Sequence, residues 1–566
     1  MSRFRLFSSV SALALGVAAS LAATPAEASC FNGTTATFMG PVTGDDQTVI
    51  CLGVHGPGTV PQTDNGFDGA FFGVSNGQSL APADGVTPVT VSGNESNVGI
   101  GLVIDGFPPA TGSIVSINAD AISASGERNA IIVFADGLLQ ATGGRAMSAV
   151  NGVLAIFNDS PATLSMIAQG FGLTLEQGWA LFLEGQLFAT KSGTVIGDVE
   201  FTGNEESNVY NYGTLTGSIS ASGGGDYLVA NVGELTGNVN LAPDASEGRA
   251  SSVINNGLLT GNVSLSGAGA FFGNYSTGEE LQAMLPLIHP PTAMDLLIDE
   301  PETHAALLHQ LGTEGAPDGA VIGEIDGSVT LDADLNWMIN LGRITQGVSM
   351  TAGTDPQIAR YDDGGFRGFN VFLNTLGAEI EGGVSLEGGS VLVEDDLVYR
   401  SALINLGRIT GNVEVLGGST SVLNGALVPE MTTGFFSVQG APALEEGALL
   451  RADIPPGVER GEIIGDMTFG DAGHTLLNIG LIDGSVTFGA GDDIFANVGE
   501  ITGNIDLGGG DDTATIGASS IIGGTVSGGL GTNLLAIFGT GNFDPTKFFN
   551  FQTILFDVKE GLDNII

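Results

Sequence analysis

The chain has 566 residues, and its 63 acidic side chains outnumber 15 basic ones to give a formal net charge of -48. Proteins that bind nucleic acid attract phosphates with clustered positive charge, so an acidic excess of this size excludes nucleic acid as a natural partner. Such acidity favours solubility, divalent cations or basic partners, and a solvated acidic coat also limits association between sheet edges.

The first 28 residues have the pattern of a secretory signal peptide. Arg3 and Arg5 precede an apolar, alanine-rich run, and the small residues Ala26 and Ala28 fit a cleavage site before Ser29. No later segment has about eighteen uninterrupted apolar residues, so we expect no helical membrane span in the mature chain. The sequence therefore predicts an exported protein.

Residues 29–90 contain both cysteines and are predicted to form an N-terminal cap. In an oxidising compartment Cys30 and Cys51 would pair as a disulfide that closes a loop of about twenty residues and stabilises the fold by roughly 3 kcal/mol. A metal or catalytic role for the pair is disfavoured, because His55 is the lone histidine nearby and the chain has no third cysteine.

Residues 91–540 carry a recurring motif, Asn-x-Gly-x-(Ile/Leu)-x-Gly-x-(Val/Ile). Four near-copies begin at Asn231, Asn255, Asn405 and Asn497, with their first glycines at Gly233, Gly257, Gly407 and Gly499. Weaker copies begin at Asn211, Asn340 and Asn478 and around Ser192. The spacing between neighbouring copies is 20 residues from Asn211, 24 from Asn231 and 19 from Asn478, and this period predicts a solenoid.

Each copy alternates small or polar residues with Ile, Leu and Val and then breaks at Gly and Asn, as short strands joined by tight turns require. We interpret the recurring Asn and Gly as corner residues that adopt positive φ. Stacked copies would place each Asn above the last, where an internal amide ladder would satisfy buried groups. We predict an all-β, right-handed parallel β-helix with one coil of about 20 residues per repeat.

Two stretches interrupt this rhythm. Residues 275–319 become helical in pattern, with Pro301 opening a short amphipathic run, and predict a small helical insertion. Residues 428–461 contain four prolines and predict a long loop. Insertions of this kind often carry the binding function of a solenoid. Beyond them, residues 541–566 are predicted to form a C-terminal cap or junction segment.

A second recurring signal is glycine followed by one or two aspartates, at Asp226, Asp492, Asp493, Asp511 and Asp512. The pattern resembles the calcium-binding nonapeptide of haemolysin-type toxins, in which copies lie about nine residues apart. Asp492 and Asp511 instead lie 19 residues apart, one per coil. Two interpretations stay open: weak calcium binding between stacked aspartates, or plain polar turns.

Patterns for catalysis are weak. Ser75 lies between Gly73 and Gly77 like a nucleophile elbow, but one such match is expected by chance in so glycine-rich a chain. An enzyme acting on extracellular polysaccharide would need basic groups, and arginines concentrate at Arg343, Arg360, Arg367, Arg400 and Arg408. The alternative is that Arg343 and Arg408 share one solvent-facing repeat position. We expect no enzyme, no catalytic residue and no cofactor, with calcium as the one candidate ion.

Together these features resemble the passenger domains of type V autotransporters of Gram-negative bacteria. The resemblance rests on the signal peptide, the Cys30/Cys51 start, residues 118–126, the Asn-x-Gly coils, and the ending at residues 538–541 and 549–554. It implies a secreted, cell-surface protein that acts in adhesion or self-association, with host-cell or neighbouring-cell surface molecules as partners and the periplasm as the alternative location.

Passengers of this family precede an outer-membrane β-barrel translocator. These 566 residues show no barrel pattern of alternating strands about ten residues long, so we expect the translocator to lie outside them. Two other interpretations stay open: an extracellular β-helix enzyme that acts on polysaccharide, and a calcium-stabilised structural surface protein.

Overall fold

The structure is a computed structural model that describes residues 29–32, 48–52, 62–102, 112–157, 193–275, 323–353, 368–425 and 460–556, apart from short gaps within these ranges. The predicted signal peptide and most of both predicted insertions lie outside the described residues. Strands dominate, and the described helical elements are two short 3-10 turns, Ala245–Glu247 and Pro545–Lys547. The chain divides into two compact units, Met1–Gly261 and Asn262–Ile566.

Each unit is a stack of coils, and a complete coil contributes a first, a second and a third strand in chain order. Strands of one kind pair in parallel with their counterparts in neighbouring coils, as Thr214–Thr216 does with Glu234–Thr236. Three parallel ladders therefore run through each stack, one for each kind of strand.

In the unit Met1–Gly261 the first strands are Ser79–Leu80, Ser113–Ile117, Leu138–Thr142, Thr194–Ile196, Thr214–Thr216, Glu234–Thr236 and Leu258–Thr260. The second strands are Gln62–Thr63, Val89–Val91, Ile122–Ala124, Met147–Val150, Val199–Thr202, Ile219–Gly223 and Val239–Pro243. The third strands are Thr48–Leu52, Phe71–Ser75, Asn97–Leu102, Asn129–Val133, Val153–Phe157, Ser207–Asn211, Tyr227–Asn231 and Ala250–Asn255.

In the unit Asn262–Ile566 two long strands, Val263–Asn274 and Val329–Asn340, each serve as second and third strand together. The first strands are Glu324–Asp326, Arg343–Ile344, Glu379–Glu381, Arg408–Thr410, Glu462–Ile464, Leu481–Ile482, Glu500–Ile501 and Ile521–Ile522. The other second strands are Val348–Ala352, Val384–Gly388, Val413–Gly417, Met467–Phe469, Val486–Thr487, Ile505–Asp506, Val526–Ser527 and Phe548–Phe549.

The remaining third strands of this unit are Phe369–Asn374, Ser401–Asn405, Thr420–Asn424, Thr475–Asn478, Ile494–Asn497, Thr513–Gly517, Leu534–Phe538 and Thr553–Phe556. One antiparallel hairpin, Val391–Val393 with Leu397–Tyr399, lies between a second and a third strand.

Side chains alternate between the interior of each stack and its surface, as a period of two predicts. In the coil that begins at Thr214, the side chains of Leu215, Ile219 and Val229 point inward and are buried. Leu235 continues the Leu215 column in the next coil. Because apolar columns run from coil to coil, no coil could bury its side chains alone. The prediction of an all-β parallel β-helix is confirmed.

At the N-terminus, Ser29–Asn32 pairs antiparallel with Thr48–Leu52 and places Cys30 opposite Cys51. The α-carbons of antiparallel partners lie about 4.5 to 5.5 Å apart, within the range of about 4.4 to 6.8 Å that a disulfide spans. The backbone thus positions the two cysteines as the predicted disulfide requires.

Parallel coils extend past both predicted ends of the β-helix, residues 91 and 540. Thr48–Leu52 pairs in parallel with Phe71–Ser75, inside the predicted cap of residues 29–90. Thr553–Phe556 pairs in parallel with Leu534–Phe538, inside the predicted terminal segment of residues 541–566. These coils lack the Asn-x-Gly motif, which is why the repeat pattern did not reveal them.

Three long segments outside the described residues leave the coils at one kind of corner, between a third strand and the next first strand: residues 158–192, 276–322 and 426–459. The corner stays closed around two of them. Gly323 N donates to Tyr275 O at 2.9 Å, and Gly461 N donates to Gly425 O at 3.0 Å. The first of the three segments was not predicted from the sequence.

Replacing Cys30 with serine should destabilise the N-terminal coils by roughly 3 kcal/mol, because the loop between the two cysteines would no longer be closed in the unfolded chain. The pairing itself is checked by alkylating the native protein before and after reduction and weighing the peptides by mass spectrometry. Two thiols that alkylate without reduction would contradict the disulfide.

Candidate functional site

The asparagines of the repeat motif form a continuous column of buried side chains in the unit Met1–Gly261. Asn211 Nδ2 donates to Asn231 Oδ1 at 2.7 Å, and Asn231 Nδ2 donates to Asn255 Oδ1 at 2.8 Å. The second hydrogen of Asn231 Nδ2 goes to Leu258 O at 3.1 Å. The predicted amide ladder is confirmed, and it satisfies polar groups that are costly to bury alone.

The unit Asn262–Ile566 contains a longer column of the same kind. Asn405 Nδ2 donates to Asn424 Oδ1 at 2.8 Å, and Asn405 Oδ1 accepts from Asn374 Nδ2 at 2.8 Å. The whole column is Asn274, Asn340, Asn374, Asn405, Asn424, Asn478 and Asn497. Asn497 Nδ2 finds no partner in the described part of the chain, because the next coil has Ile516 at that position.

The interpretation of the motif residues as positive-φ corners is wrong for the asparagines and the first glycines, but the second glycine of three copies does have positive φ: Gly237, Gly261 and Gly411. Asn231, Asn255, Asn405 and Asn497 each end a strand, and positive φ among described non-glycine residues occurs at Asn65, Asn118 and Asn550. Positive φ is also absent at the first glycines of the four near-copies, which are Gly233, Gly257, Gly407 and Gly499. Close packing of coils requires the glycine instead, since a Cβ at Gly257 would lie 2.1 Å from Gly233 O.

Three members of the columns were missed from the sequence: Asn274, Asn374 and Asn424. Asn274 and Tyr275 are separated from Gly323 by residues 276–322, so the motif is present but split. Asn424 and Gly425 are separated from Gly461 in the same way. A motif that allows a long insertion between Asn-x and Gly would have identified both corners.

The paired aspartates point in opposite directions. Asp492 lies at the surface, where its Oδ1 accepts from Asp511 N at 2.7 Å. Asp493 is buried, and its Oδ1 accepts from His474 N at 2.6 Å, while Asp493 N donates to Asp512 Oδ1 at 2.9 Å. Each aspartate thus joins one coil to the next, which favours the interpretation as polar turns.

The inner aspartates belong to a second polar column, at the start of the third strands. From the second member onward, each side chain accepts a hydrogen bond from the backbone N–H of the preceding member. The column consists of Thr420, His474, Asp493, Asp512, Asn533 and Gln552. Asp493 Oδ2 and Asp512 Oδ2 have no hydrogen-bond partner among the described residues. Burial raises the pKa of Asp493 to about 7 and the pKa of Asp512 to about 6.

The aspartates weighed as calcium ligands are held in separate hydrogen-bond networks. Asp226 accepts from Ala250 N at 2.7 Å and from Arg249 Nη1 at 3.1 Å. Within the described ranges, no group of three or more His, Cys, Asp or Glu side chains could hold a metal ion. Calcium binding stays a prediction, and the described contacts of these carboxylates favour a structural role.

The arginine-rich region contains a surface ladder of ion pairs. In register on consecutive first strands lie Glu324, Arg343, Glu379, Arg408 and Glu462. Arg343 contacts Glu324 at 2.9 Å, and Arg408 contacts Glu462 at 3.8 Å. The interpretation that Arg343 and Arg408 share a solvent-facing position is confirmed. Arg360, Arg367, Arg400 and the side chain of Ser75 lie outside what the structure describes.

Substituting Asn405 by alanine should lower the free energy of unfolding by about 2 to 4 kcal/mol, because it leaves buried amide groups of Asn374 and Asn424 without partners. Urea unfolding followed by circular dichroism measures the effect. The exposed Thr487→Ala change in the same unit is the matched control and should stay within about 0.5 kcal/mol of the parent. Equal stability of both variants would contradict the ladder's role.

Asp493→Asn should make stability less dependent on pH. A pKa raised to about 7 means that the folded chain binds a proton that the unfolded chain releases at lower pH, so this stabilisation is present below about pH 4 and lost as pH rises through 7. Melting temperatures from pH 4 to 8 should fall less in Asp493→Asn than in the parent, whereas the surface variant Asp492→Asn should stay much closer to the parent, because the Asp492 charge is only a smaller cause of the raised pKa. Parallel curves for all three would refute the buried proton.

Comparison with models of known protein families, with curated proteins and with solved structures found no match. In the described part of the chain, no helix is long and apolar enough to cross a membrane. What the protein does must therefore follow from its own coils and side chains.

Proposed function

We propose that the chain is a secreted β-helical passenger protein of a Gram-negative cell surface, which acts in adhesion or surface interaction and not in catalysis. The observation that carries this proposal is the way the long insertions join the coils. Two of them, residues 276–322 and 426–459, enter at a corner that stays hydrogen-bonded, so the stack supports them without a break in the coil. A stack that tolerates long additions at a fixed corner suits a protein that displays binding segments.

The backbone geometry of the corner supports this separation between a supporting stack and the segments that bind. In an uninterrupted coil, two residues join Asn231 to Glu234. In the interrupted coil the same two positions are Tyr275 and Gly323, which remain joined by a backbone hydrogen bond. Residues 276–322 are therefore an addition to a complete coil. Within the unit Asn262–Ile566, residues 426–459 leave from the same corner of a later coil.

The described charged groups support an interaction role over a catalytic one. The buried aspartates accept backbone hydrogen bonds between coils, and Arg343 is held by Glu324 and Glu381, at 2.7 Å in the second case. A catalytic centre needs groups held free to act on a substrate. With a net charge of -48, the surface favours neutral or basic partners on host or neighbouring cells.

Excision of residues 276–322 tests the proposal, because joining Tyr275 to Gly323 recreates an ordinary Asn-x-Gly-Glu corner. We expect a folded protein with an unchanged circular dichroism spectrum. Cells that display this variant should adhere to host cells or to one another at least tenfold less than cells with the parent chain, at equal surface display measured with an antibody.

Excision of residues 426–460, which joins Gly425 to Gly461, tests the other insertion in the same way. A variant with both excisions shows whether either of these two insertions matters. If this double variant is folded, displayed and as adherent as the parent, the proposal that these two insertions carry binding fails.

A further inference from the structure

The third strands of the central coils in the unit Asn262–Ile566 are buried on both faces. Alternation of side chains should leave their outer face open to water, as in Leu534–Phe538, where every second residue is partly exposed. In Ser401–Asn405 every residue is buried instead. Its outward members, Ala402 and Ile404, are apolar. The outer face of these strands is therefore covered.

One outward column shows how far the cover extends. Its members, in register on consecutive third strands, are Ile339, Leu373, Ile404, Leu423, Leu477, Ala496, Thr515 and Ala536. Thr515 and Ala536 are partly exposed, whereas the members before them are buried. Because all of them occupy the same position in their coils, the coil alone does not bury this column. Another part of the molecule lies on the coils from Ile339 to Ala496.

Tyr275, the last described residue before residues 276–322, lies under the same cover. A Cβ at Gly273, which precedes Ile339 in the outward column, would lie 2.2 Å from Tyr275 Cε2. The ring of Tyr275 thus lies over the outer face of its own strand, yet Tyr275 is only 1% exposed. Its hydroxyl has no hydrogen-bond partner in the described part of the chain, although on an open surface water would solvate it. The cover therefore includes the point where residues 276–322 leave the stack.

The position of the buried residues indicates which segment covers them. These exposures are those of a single chain, so the cover belongs to the same chain. Insertions leave the stack at Tyr275 and at Gly425. Trp337 and Ile339 lie one coil from the corner at Tyr275 and three coils from the corner at Gly425. The nearer insertion, residues 276–322, is the better placed to cover them.

The sequence of this insertion suits an apolar face. The run that begins at Pro301 places three leucines on one side at helical spacing, Leu307, Leu308 and Leu311. At the same spacing Glu302 and His309 fall on the opposite side. A segment with one apolar and one polar side can cover the stack and still present polar groups to water.

We propose that residues 276–322 pack on the outer face of the third strands and cover Trp337, Ile339 and Leu373 with this apolar side. Removal of apolar surface from water on both partners drives the contact. The insertion is then anchored to the stack, which reduces the freedom it would lose on binding a partner. This packing does not depend on the adhesion proposal, because it would hold whether or not the segment binds another cell.

Trp337 reports on the cover directly. The chain has two tryptophans, so Trp179→Phe leaves Trp337 as the sole indole. Acrylamide quenching of its fluorescence is measured on the monomer fraction of this chain, with and without excision of residues 276–322. Excision should strengthen quenching about threefold, because it exposes an apolar patch of the stack. Excision of residues 426–460 is the matched control and should leave quenching nearly unchanged.

Photo-cross-linking of the full chain identifies the covering segment without any excision. Ile339→benzoylphenylalanine should cross-link to peptides from residues 276–322, as read by mass spectrometry. Thr515→benzoylphenylalanine is the matched control, because Thr515 lies in the same outward column beyond the covered coils. It should give no cross-link to those residues.

The proposal is supported if excision of residues 276–322 uncovers Trp337 and if Ile339→benzoylphenylalanine cross-links to those residues. It is overturned if Trp337 is quenched no more strongly after that excision, if excision of residues 426–460 uncovers it, or if the cross-links go to another segment or to a second copy. Should the excised chain misfold, the cross-links decide alone. None of these readouts measures adhesion, so they separate this packing from the function proposed for the insertion.

Discussion

Hydrogen bonding between one coil and the next is the constraint on which the rest of this protein depends. Parallel pairing in register places each residue against its counterparts in the neighbouring coils, so a side chain must be compatible with the same position above and below it. Asparagine meets this condition in the interior, because its amide donates in one direction and accepts in the other. Asn374, Asn405 and Asn424 form such a chain without an unpaired group between them.

The same constraint explains the behaviour of the charged residues. Aspartate repeated in neighbouring coils brings like groups together away from water, and the pKa of Asp493 and of Asp512 rises as a result of burial, with smaller contributions from neighbouring carboxylates. On the surface, Glu and Arg alternate from coil to coil, so stacking places opposite charges next to each other. Glu324, Arg343 and Glu379 lie in register in this way. Stacking thus makes an identical column favourable for amides and costly for carboxylates.

Much of the fold could be predicted from the repeat, and the failures have physical causes. Period-two alternation and the spacing of 19 between Asn478 and Asn497 were sufficient for a parallel β-helix with an amide ladder. The positive-φ interpretation failed for the asparagines and the first glycines of the motif, because asparagine also suits burial and glycine also suits close approach, and composition does not distinguish these uses. Split corners such as Asn274 with Gly323 escaped notice because the motif assumed an unbroken chain.

The candidate site was harder to predict than the fold. Gly347 and Gly383 stand where neighbouring coils have a polar corner residue, and this exchange is visible only once the coils are aligned. The residues that stood out in the sequence, Asp493 and Arg343 among them, are explained by contacts between coils.

The register of the coils passes unchanged across an insertion, and an engineered cross-link tests this continuity most directly. Glu414 and Thr468 lie on opposite sides of residues 426–459 in sequence but are in register on neighbouring second strands. Their α-carbons should be about 4.8 Å apart, so Glu414→Cys combined with Thr468→Cys should form a disulfide on oxidation. Glu414→Cys combined with Thr487→Cys, one coil farther, should not. Cross-linking of the second pair, or of neither, would contradict the account.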